Sequence, residues 1–515
     1  MNDARSTTDL LAQLHQEILK ARGRVYEVGK PTPLEKIRAE DGTDLFLKRE
    51  DLSPMHAYKW RGAYHRMAQL DPEKTRGVAA ASAGNHAQGV AIAAAKFTGA
   101  FETKIFMPLN TPLMKQEAVQ RLGGDAVTIE LVGDRYDDAV DAARHCAAKN
   151  DYALVHAFDD LAVMGGQGTI ADEIVMSGKG PFDAAFLQIG GGGMAAGVAA
   201  WLKYYYPNIT VYGVEGSGQA SMKAAVEAGK PVRLPDVDVF CDGTAVALAG
   251  ENTFPLCRDL IDKFLTVTNE EVCAAMQILW EKKRVIPEPA GAMGLAGWAT
   301  HRNQLPNHQK VIIIICGANM DFAQLQRVVR AARIGSHTRR YLRFKIEEKP
   351  GTLFHLLSEL RTKASIVEFQ YGKTDSATAQ PVIGFDSAEE SFLELEATWK
   401  KRGLQFEDLT GEPDIEFRAF PFDSSLLRKP LFLQVEFSER AGALADFLGS
   451  ASKISDLVFF DYQYSGERVG RALIGFDFPN SPARDRFLDF TETRRNATRS
   501  FRPLTDRQMA RVLGR

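Results

Sequence analysis

Cysteine is scarce in this sequence, with five in 515 residues: Cys146, Cys241, Cys257, Cys273 and Cys316. The set is odd and scattered, with no CxxC pair and no Cys/His cluster. That argues against a disulfide framework and a zinc site and fits a reducing compartment; no metal is expected. An excess of one charge is also missing. With 63 Lys+Arg against 66 Asp+Glu, the formal net charge of −3 gives nucleic acid or an anionic membrane little to bind. Long apolar runs are absent too. The longest aliphatic stretch, Val311 to Ile315, falls far short of the ~20 residues of a membrane helix and reads as a buried strand. Met1 to Leu10 mixes Asp with Arg, Ser and Thr and lacks the apolar segment of a secretion signal. A cytoplasmic protein with no membrane or nucleic-acid partner is expected.

What is present is ordinary globular material, 45% hydrophobic and 25% charged, long enough for roughly two to four domains. Leu10, Leu11, Leu14 and Ile18 have helical spacing. Up to about residue 330, helices alternate with short apolar strands at Lys104–Met107, Ala184–Ile189, Thr210–Val214 and Val311–Ile315. That alternation predicts an α/β fold with a mostly parallel sheet covered on both faces. From about residue 341 the pattern changes to strict alternation, as in Leu342-Arg343-Phe344-Lys345-Ile346, and a repeat displaced by 91 residues begins. It carries Gly351 onto Gly442, Leu353 onto Leu444, Leu357 onto Leu448, Phe369 onto Phe460 and Ile383-Gly-Phe-Asp386 onto Ile474-Gly-Phe-Asp477. The match has no gap, so it reads as a duplication, each unit running strand, glycine turn, helix, strand, strand.

Four segments carry chemistry. The first is His56-Ala57-Tyr58-Lys59-Trp60-Arg61-Gly62-Ala63. A lone lysine is usually a solvated surface group, but one set among aromatic and apolar neighbours has its pKa lowered, which suits Schiff-base chemistry. The second is Ser82-Ala83-Gly84-Asn85-His86-Ala87-Gln88-Gly89, a strand-to-helix turn of small residues. Standing alone it is a polar helix cap; in company it lets a carboxylate reach backbone amides at a helix N-terminus. The third is Gly190-Gly191-Gly192-Gly193-Met194, between a strand and a helix starting near Ala195, where converging amides and the helix dipole suit a phosphate. Gly191, Gly193 and Ala196, with Glu215 closing the next strand, also satisfy a loose dinucleotide fingerprint, so an NAD-type oxidoreductase is the rival reading. It leaves Lys59 and Asn85 without a task. The fourth is Val311–Ile315 followed by Cys316-Gly317-Ala318-Asn319, which places a thiol at a strand end facing the crevice, although a buried free cysteine is commonly plain core.

Together these segments, with Glu288-Pro289 and the doubled C-terminal region, resemble the fold-type II pyridoxal-phosphate enzymes, and among them the biosynthetic threonine dehydratases. The resemblance implies a catalytic domain over residues 1–333 built of two open parallel-sheet subdomains, and α+β ACT-like regulatory domains over 334–424 and 425–515. It implies pyridoxal 5′-phosphate as cofactor, held by Lys59 as a Schiff base. Asn85 would bond the ring oxygen, Gly190, Gly191, Gly192, Gly193 and Met194 would cradle the phosphate, and Cys316 would face the ring nitrogen, where the family more often has serine. Ser82, Ala83, Gly84 and Asn85 would receive the substrate carboxylate. Ala57 departs from the serine common before the aromatic residue. The implied reaction is deamination of L-threonine to 2-oxobutanoate and ammonia, with a serine/threonine dehydratase of relaxed specificity as the alternative. The implied regulation is inhibition by isoleucine, opposed by valine, in a homotetramer. Effector contacts would fall at Gly351, Leu353, Phe354, Gly442, Leu444 and Leu448, residues that could equally be helix core.

Overall fold

The computed structural model describes residues 6–347, 356, 359–360, 363–370, 378–416, 427–438, 456–462, 469–493 and 498–513. The six expected effector contacts all lie outside the described residues. The chain divides into two compact units, Met1–Met320 and Asp321–Arg515. The helix Leu325–Gly335, which crosses the boundary read at residue 333, is counted with the second.

Among its described residues the first unit contains ten strands in two sheets. In chain order they are β1 (Leu34–Arg38), β2 (Asp44–Arg49), β3 (Gly77–Ala81), β4 (Glu102–Met107), β5 (Val127–Leu131), β6 (Tyr152–Leu154), β7 (Ala184–Gln188), β8 (Thr210–Gly216), β9 (Lys263–Val267) and β10 (Lys310–Ile315). One sheet has the order β5-β4-β3-β6, and the larger has the order β1-β2-β10-β7-β8-β9. Every pairing is parallel except β1 with β2. The strands are continuous apolar runs, all five residues of β3 and of β7 being buried, as expected of parallel strands covered on both faces. All four strands picked from the sequence are present, within two residues at each end. The helix read from Leu10, Leu14 and Ile18 runs Thr7–Arg22 and buries those three residues. In such sheets the crevice beyond the carboxyl ends of the strands is the natural ligand site.

Among its described residues the second unit contains two antiparallel sheets. The first is built from β11 (Arg339–Glu347), β12 (Ser365–Gln370), β13 (Thr378–Ala379), β14 (Val382–Asp386) and β15 (Gln405–Asp408); the second from β16 (Leu431–Ser438), β17 (Asp456–Tyr462), β18 (Val469–Asp477) and β19 (Thr498–Pro503). Their orders, β12-β14-β11-β15 and β17-β18-β16-β19, are the same topology twice. Leu342, Phe344 and Ile346 are buried while Arg343, Lys345 and Glu347 are not, so the alternation reports a sheet with one covered face. Each unit is longer than read from the sequence. A helix, Glu389–Lys401 or Ser481–Thr493, and a closing strand follow the strand pair. Phe392, Leu395 and Trp399 seat the first of these helices on the core.

Candidate active site

Lys59 is the residue before the helix Trp60–Met67, and its backbone is held from two sides. Ala57 bridges Gly317, the Tyr58 amide donates to the Cys316 carbonyl at 3.1 Å, and the Ala318 amide donates to the His56 carbonyl at 2.8 Å. Opposite, a Cβ on Gly89 would stand 3.0 Å from the Lys59 carbonyl, so the helix Asn85–Lys96 lies directly against it. The side chain lines a cleft formed by residues that follow β3, β7 and β10, with Tyr58, Asn85, Gly190 to Met194 and Cys316 in the same wall. Burial pushes the Lys59 pKa below its ordinary value, against the pull of Cys316, Glu288 and Asp242. Near-neutral pH therefore leaves a larger share of unprotonated amine than on a surface lysine.

Asn85 begins its helix with a fixed amide. Its Nδ2 donates to Glu288 Oε1 and Oε2 at 2.8 and 3.0 Å, and its Oδ1 accepts from Asn319 Nδ2 at 2.8 Å. Ser82, Ala83 and Gly84 form the turn into that helix, where Ser82 Oγ accepts from the Gly84 amide at 3.1 Å. These three are not among the cleft's walls.

The glycine turn needs its glycines for two reasons. Gly192 has φ +93°, a conformation costly for any residue with a Cβ. A Cβ on Gly193 would stand 2.7 Å from the Phe158 carbonyl oxygen and 2.9 Å from its Cα, both backbone atoms that cannot swing aside. The helix begins at Gly193, not near Ala195. Its first-turn amides have no acceptor within the helix and face the cleft beside Thr244 and Phe158. An anion would be held there by converging N–H groups and the helix dipole. The dinucleotide reading loses its acidic residue: Glu215 accepts from the Met222 and Lys223 amides at 2.8 Å each, capping the helix Ser221–Ala228.

Cys316 is buried, and burial pushes its thiol well above the ordinary value, with Glu288 adding to the effect. It is neutral at any physiological pH. Sequence reasoning missed the role of Glu288, which precedes the helix Pro289–His301 and is 2% exposed. Its amide donates to the Gly317 carbonyl at 3.0 Å. Burial, reinforced by Asp242, raises its carboxyl to about 7, against opposing pulls from Asn85, Lys115 and Lys59. A glutamate followed by proline at a helix start was the available signal. Gln188, Gly243, Thr244, Val246 and Phe158 were also missed; nothing local in the sequence marks them.

Residues 25–317 match the family model described as pyridoxal-phosphate dependent enzyme. With the two parallel sheets this defines the class, a fold-type II pyridoxal-phosphate enzyme. Residues 330–417 and 425–506 match the C-terminal regulatory domain of threonine dehydratase. The chain is 36% identical over 477 residues to the L-threonine dehydratase biosynthetic IlvA of Burkholderia multivorans, covering 90% of this chain and 93% of that one. It is 35% identical to the chloroplastic biosynthetic threonine dehydratase of Arabidopsis thaliana, covering 88% and 77%. The processed form of threonine deaminase isoform 2 from Solanum lycopersicum superposes with a TM-score of 0.58 at 40% identity, covering 62% of this chain and 94% of that one. The chain belongs to the threonine dehydratase family.

The residues fit the family's cofactor. A desolvated amine suits its aldehyde, the glycine turn that a Cβ would block suits its phosphate, and a neutral thiol suits an uncharged ring nitrogen.

Glu288 also gives a pH test on the cofactor-free protein. Its folded pKa of about 7 lies above the ordinary 4.5, so folding favours the protonated carboxyl. That contribution is full below about pH 4.5 and is lost as pH rises through about 7. Glu288→Gln, which imitates the protonated form, should match wild type in thermal stability near pH 4.5, gain on it as pH rises to about 7 and level off above that. A melting-temperature difference that stays flat over that range would contradict the assignment.

Proposed function

We propose that the chain is an L-threonine ammonia-lyase, converting L-threonine to 2-oxobutanoate and ammonia at the head of a route to isoleucine. The observation that carries this reading is the desolvated Lys59 amine sharing one cleft with Asn85 and the glycine turn. When bound, pyridoxal phosphate supplies the electron sink that makes the α-proton of an attached amino acid acidic. Lys59 Nζ would hold the cofactor through its aldehyde carbon and, as a free amine, would serve as base toward the substrate α-proton, a task suited to its lowered pKa. The amides of the Gly190–Met194 turn would hold the cofactor phosphate; those of Ser82 to Asn85, a turn that meets the cleft at Asn85, would receive the substrate carboxylate. Cys316 would face the ring nitrogen. As a neutral thiol it would not keep a proton there as a carboxylate would, and the residue would thereby favour loss of the β-hydroxyl. One methyl separates threonine from serine, worth about 1–3 kcal/mol of discrimination, so some serine turnover is expected.

The test is spectroscopic and chemical. The purified protein should show a visible band on the order of 410 nm, borohydride should fix the cofactor to the single peptide containing Lys59, and threonine should yield a 2-oxo acid. A colourless protein that binds NAD would sink the reading.

Residues 1–333 form the catalytic part of this reading, and 334–424 and 425–515 two ACT-like sensors of isoleucine and valine in a cytoplasmic homotetramer. The duplicated sheet topology supports paired sensing, and among the described residues no helix is long and apolar enough to cross a membrane. Isoleucine shares no chemistry with the cofactor and acts by preferring one conformation, with coupling of about 1–3 kcal/mol. A chain ending at Arg333 should keep deaminase activity and lose inhibition by isoleucine. Equal inhibition of the shortened and full-length proteins would remove the regulatory assignment.

A further inference from the structure

The glycine turn is backed by the helix Thr253–Leu260. Thr253 Oγ1 donates to the Gly191 carbonyl at 2.6 Å, and one helical turn later Cys257 Sγ donates to the Gly192 carbonyl at 3.6 Å. Residues four apart share a helix face, so one face of this helix holds two consecutive carbonyls of the turn. The direction of the first bond is settled by a third group, because Oγ1 also accepts from the Gly250 amide at 3.1 Å. An amide only donates and a carbonyl only accepts, so the hydroxyl hydrogen goes to Gly191. The Gly192 carbonyl has a second donor in the Ala196 amide at 2.8 Å. Among the described residues the Gly191 carbonyl has Thr253 alone.

Thr253 is itself firmly seated. It is fully buried, and the Asp159 carboxylate accepts from the amides of Glu251, Asn252 and Thr253 at 3.0, 2.9 and 3.1 Å. A Cβ on Gly192 would stand 2.9 Å from Thr253 Cβ and 3.1 Å from Cys257 Sγ, so the turn lies directly on this helix. On the other side a Cβ on Gly191 would overlap the Phe158 ring. In a trans peptide the carbonyl and the N–H that follows it point in opposite directions. Holding the Gly191 oxygen back against Thr253 therefore turns the Gly192 amide to the opposite side of the turn. Gly191, Gly192 and Gly193 line the cleft, and Thr253 and Cys257 stand outside its described walls. With glycine on both sides, little else resists rotation of that peptide. Reversed, it would set a carbonyl oxygen where an anion needs a donor.

We propose that Thr253 is a positioning residue for the cofactor phosphate: its hydroxyl locks the Gly191–Gly192 peptide with the N–H toward the cleft, and Cys257 steadies the peptide that follows. The proposal rests on the reading of the glycine turn as the phosphate site. Asp159 belongs to the same device, since it fixes the first turn of the helix from which Thr253 reaches the glycines.

The experiment is equilibrium titration of the full-length, cofactor-free protein with two probes, pyridoxal phosphate and pyridoxal, which lacks the phosphate. Wild type should bind the phosphorylated probe far more tightly. Thr253→Val, of the same size without the donor, should weaken pyridoxal phosphate about fivefold, the effect of one hydrogen bond, and leave pyridoxal within about 1.5-fold. Thr253→Ser keeps the hydroxyl and should stay within about twofold of wild type for both probes. Equal losses of the two probes in T253V, no loss of either, or a loss in T253S as large as in T253V would overturn the proposal and reduce Thr253 to packing. If T253V folds poorly, Thr253→Ala removes the same donor and should show the same selective loss. The parent reading fails separately. If wild type binds the two probes equally, or if Gly193→Ala does not weaken pyridoxal phosphate, the turn holds no phosphate and this proposal falls with it.

Discussion

Lys59→Ala is expected to lose at least about 10³-fold in turnover, within the range for removing a positioned general base, together with the visible absorbance of the bound cofactor. One nitrogen serves as covalent anchor and as base, so both properties should disappear in the same variant. Lys59→Arg should fare no better. A guanidinium stays protonated and can neither bond to a carbonyl carbon as an amine does nor accept a proton. The backbone around residue 59 is held by the Ala57–Gly317 bridge and by Gly89, neither of which uses the lysine side chain. Both variants should therefore remain folded, and circular dichroism with a 2-oxo-acid assay separates loss of chemistry from loss of structure. More than a trace of activity in a folded variant would remove Lys59 from the mechanism.

Gly193→Ala should cost between about 10- and 100-fold in affinity for pyridoxal phosphate. Its Cβ would meet the Phe158 backbone at 2.7 and 2.9 Å. Relieving such a contact costs about 1–3 kcal/mol, and each 1.4 kcal/mol is about tenfold in a binding constant. The glycine turn must open, and its amides then no longer converge on one anion. Equilibrium titration of cofactor-free protein measures this directly. Unchanged affinity would mean that the phosphate is held elsewhere.

The parts of this molecule that were legible in the sequence are those whose physics is local. β4, β7, β8 and β10 announce themselves as short apolar runs, and the alternation at Leu342–Ile346 reports a one-sided sheet. The 91-residue displacement carries β11, β12 and β14 onto β16, β17 and β18. Lys59, Asn85, the glycine turn and Cys316 stood out as motifs, and the fold brings them into one wall. The residues that complete the cleft were not legible, because nothing near them in the chain says what they will meet. Glu288 reaches Asn85 across 203 residues of sequence. Gln188 reads as one more strand residue until β10 is seen beside β7. Thr244 lies in a loop without periodicity, and its place opposite Gly190 is set by the sheet. The dinucleotide reading failed for a similar reason: Glu215 was judged by its spacing, while its bonds go to the first turn of the helix that follows its strand.

The order of strands in the larger sheet has a consequence for synthesis. β10 is the last strand of the catalytic unit to be made, yet it lies between β2 and β7, and its end carries Cys316 and the partner of the Ala57 bridge. Translation proceeds at about 5–20 residues per second, so roughly 13 to 50 s separate the appearance of Lys59 from that of Cys316. For the last part of that interval, from Gln188 to Lys310 and roughly 6 to 24 s at that rate, β2 and β7 are already made and the strand that belongs between them is not. Those edges are open to mispairing with each other or with a neighbouring nascent chain. The cell must protect a half-built sheet for many seconds, and the cofactor has no complete cleft to enter until that wait is over.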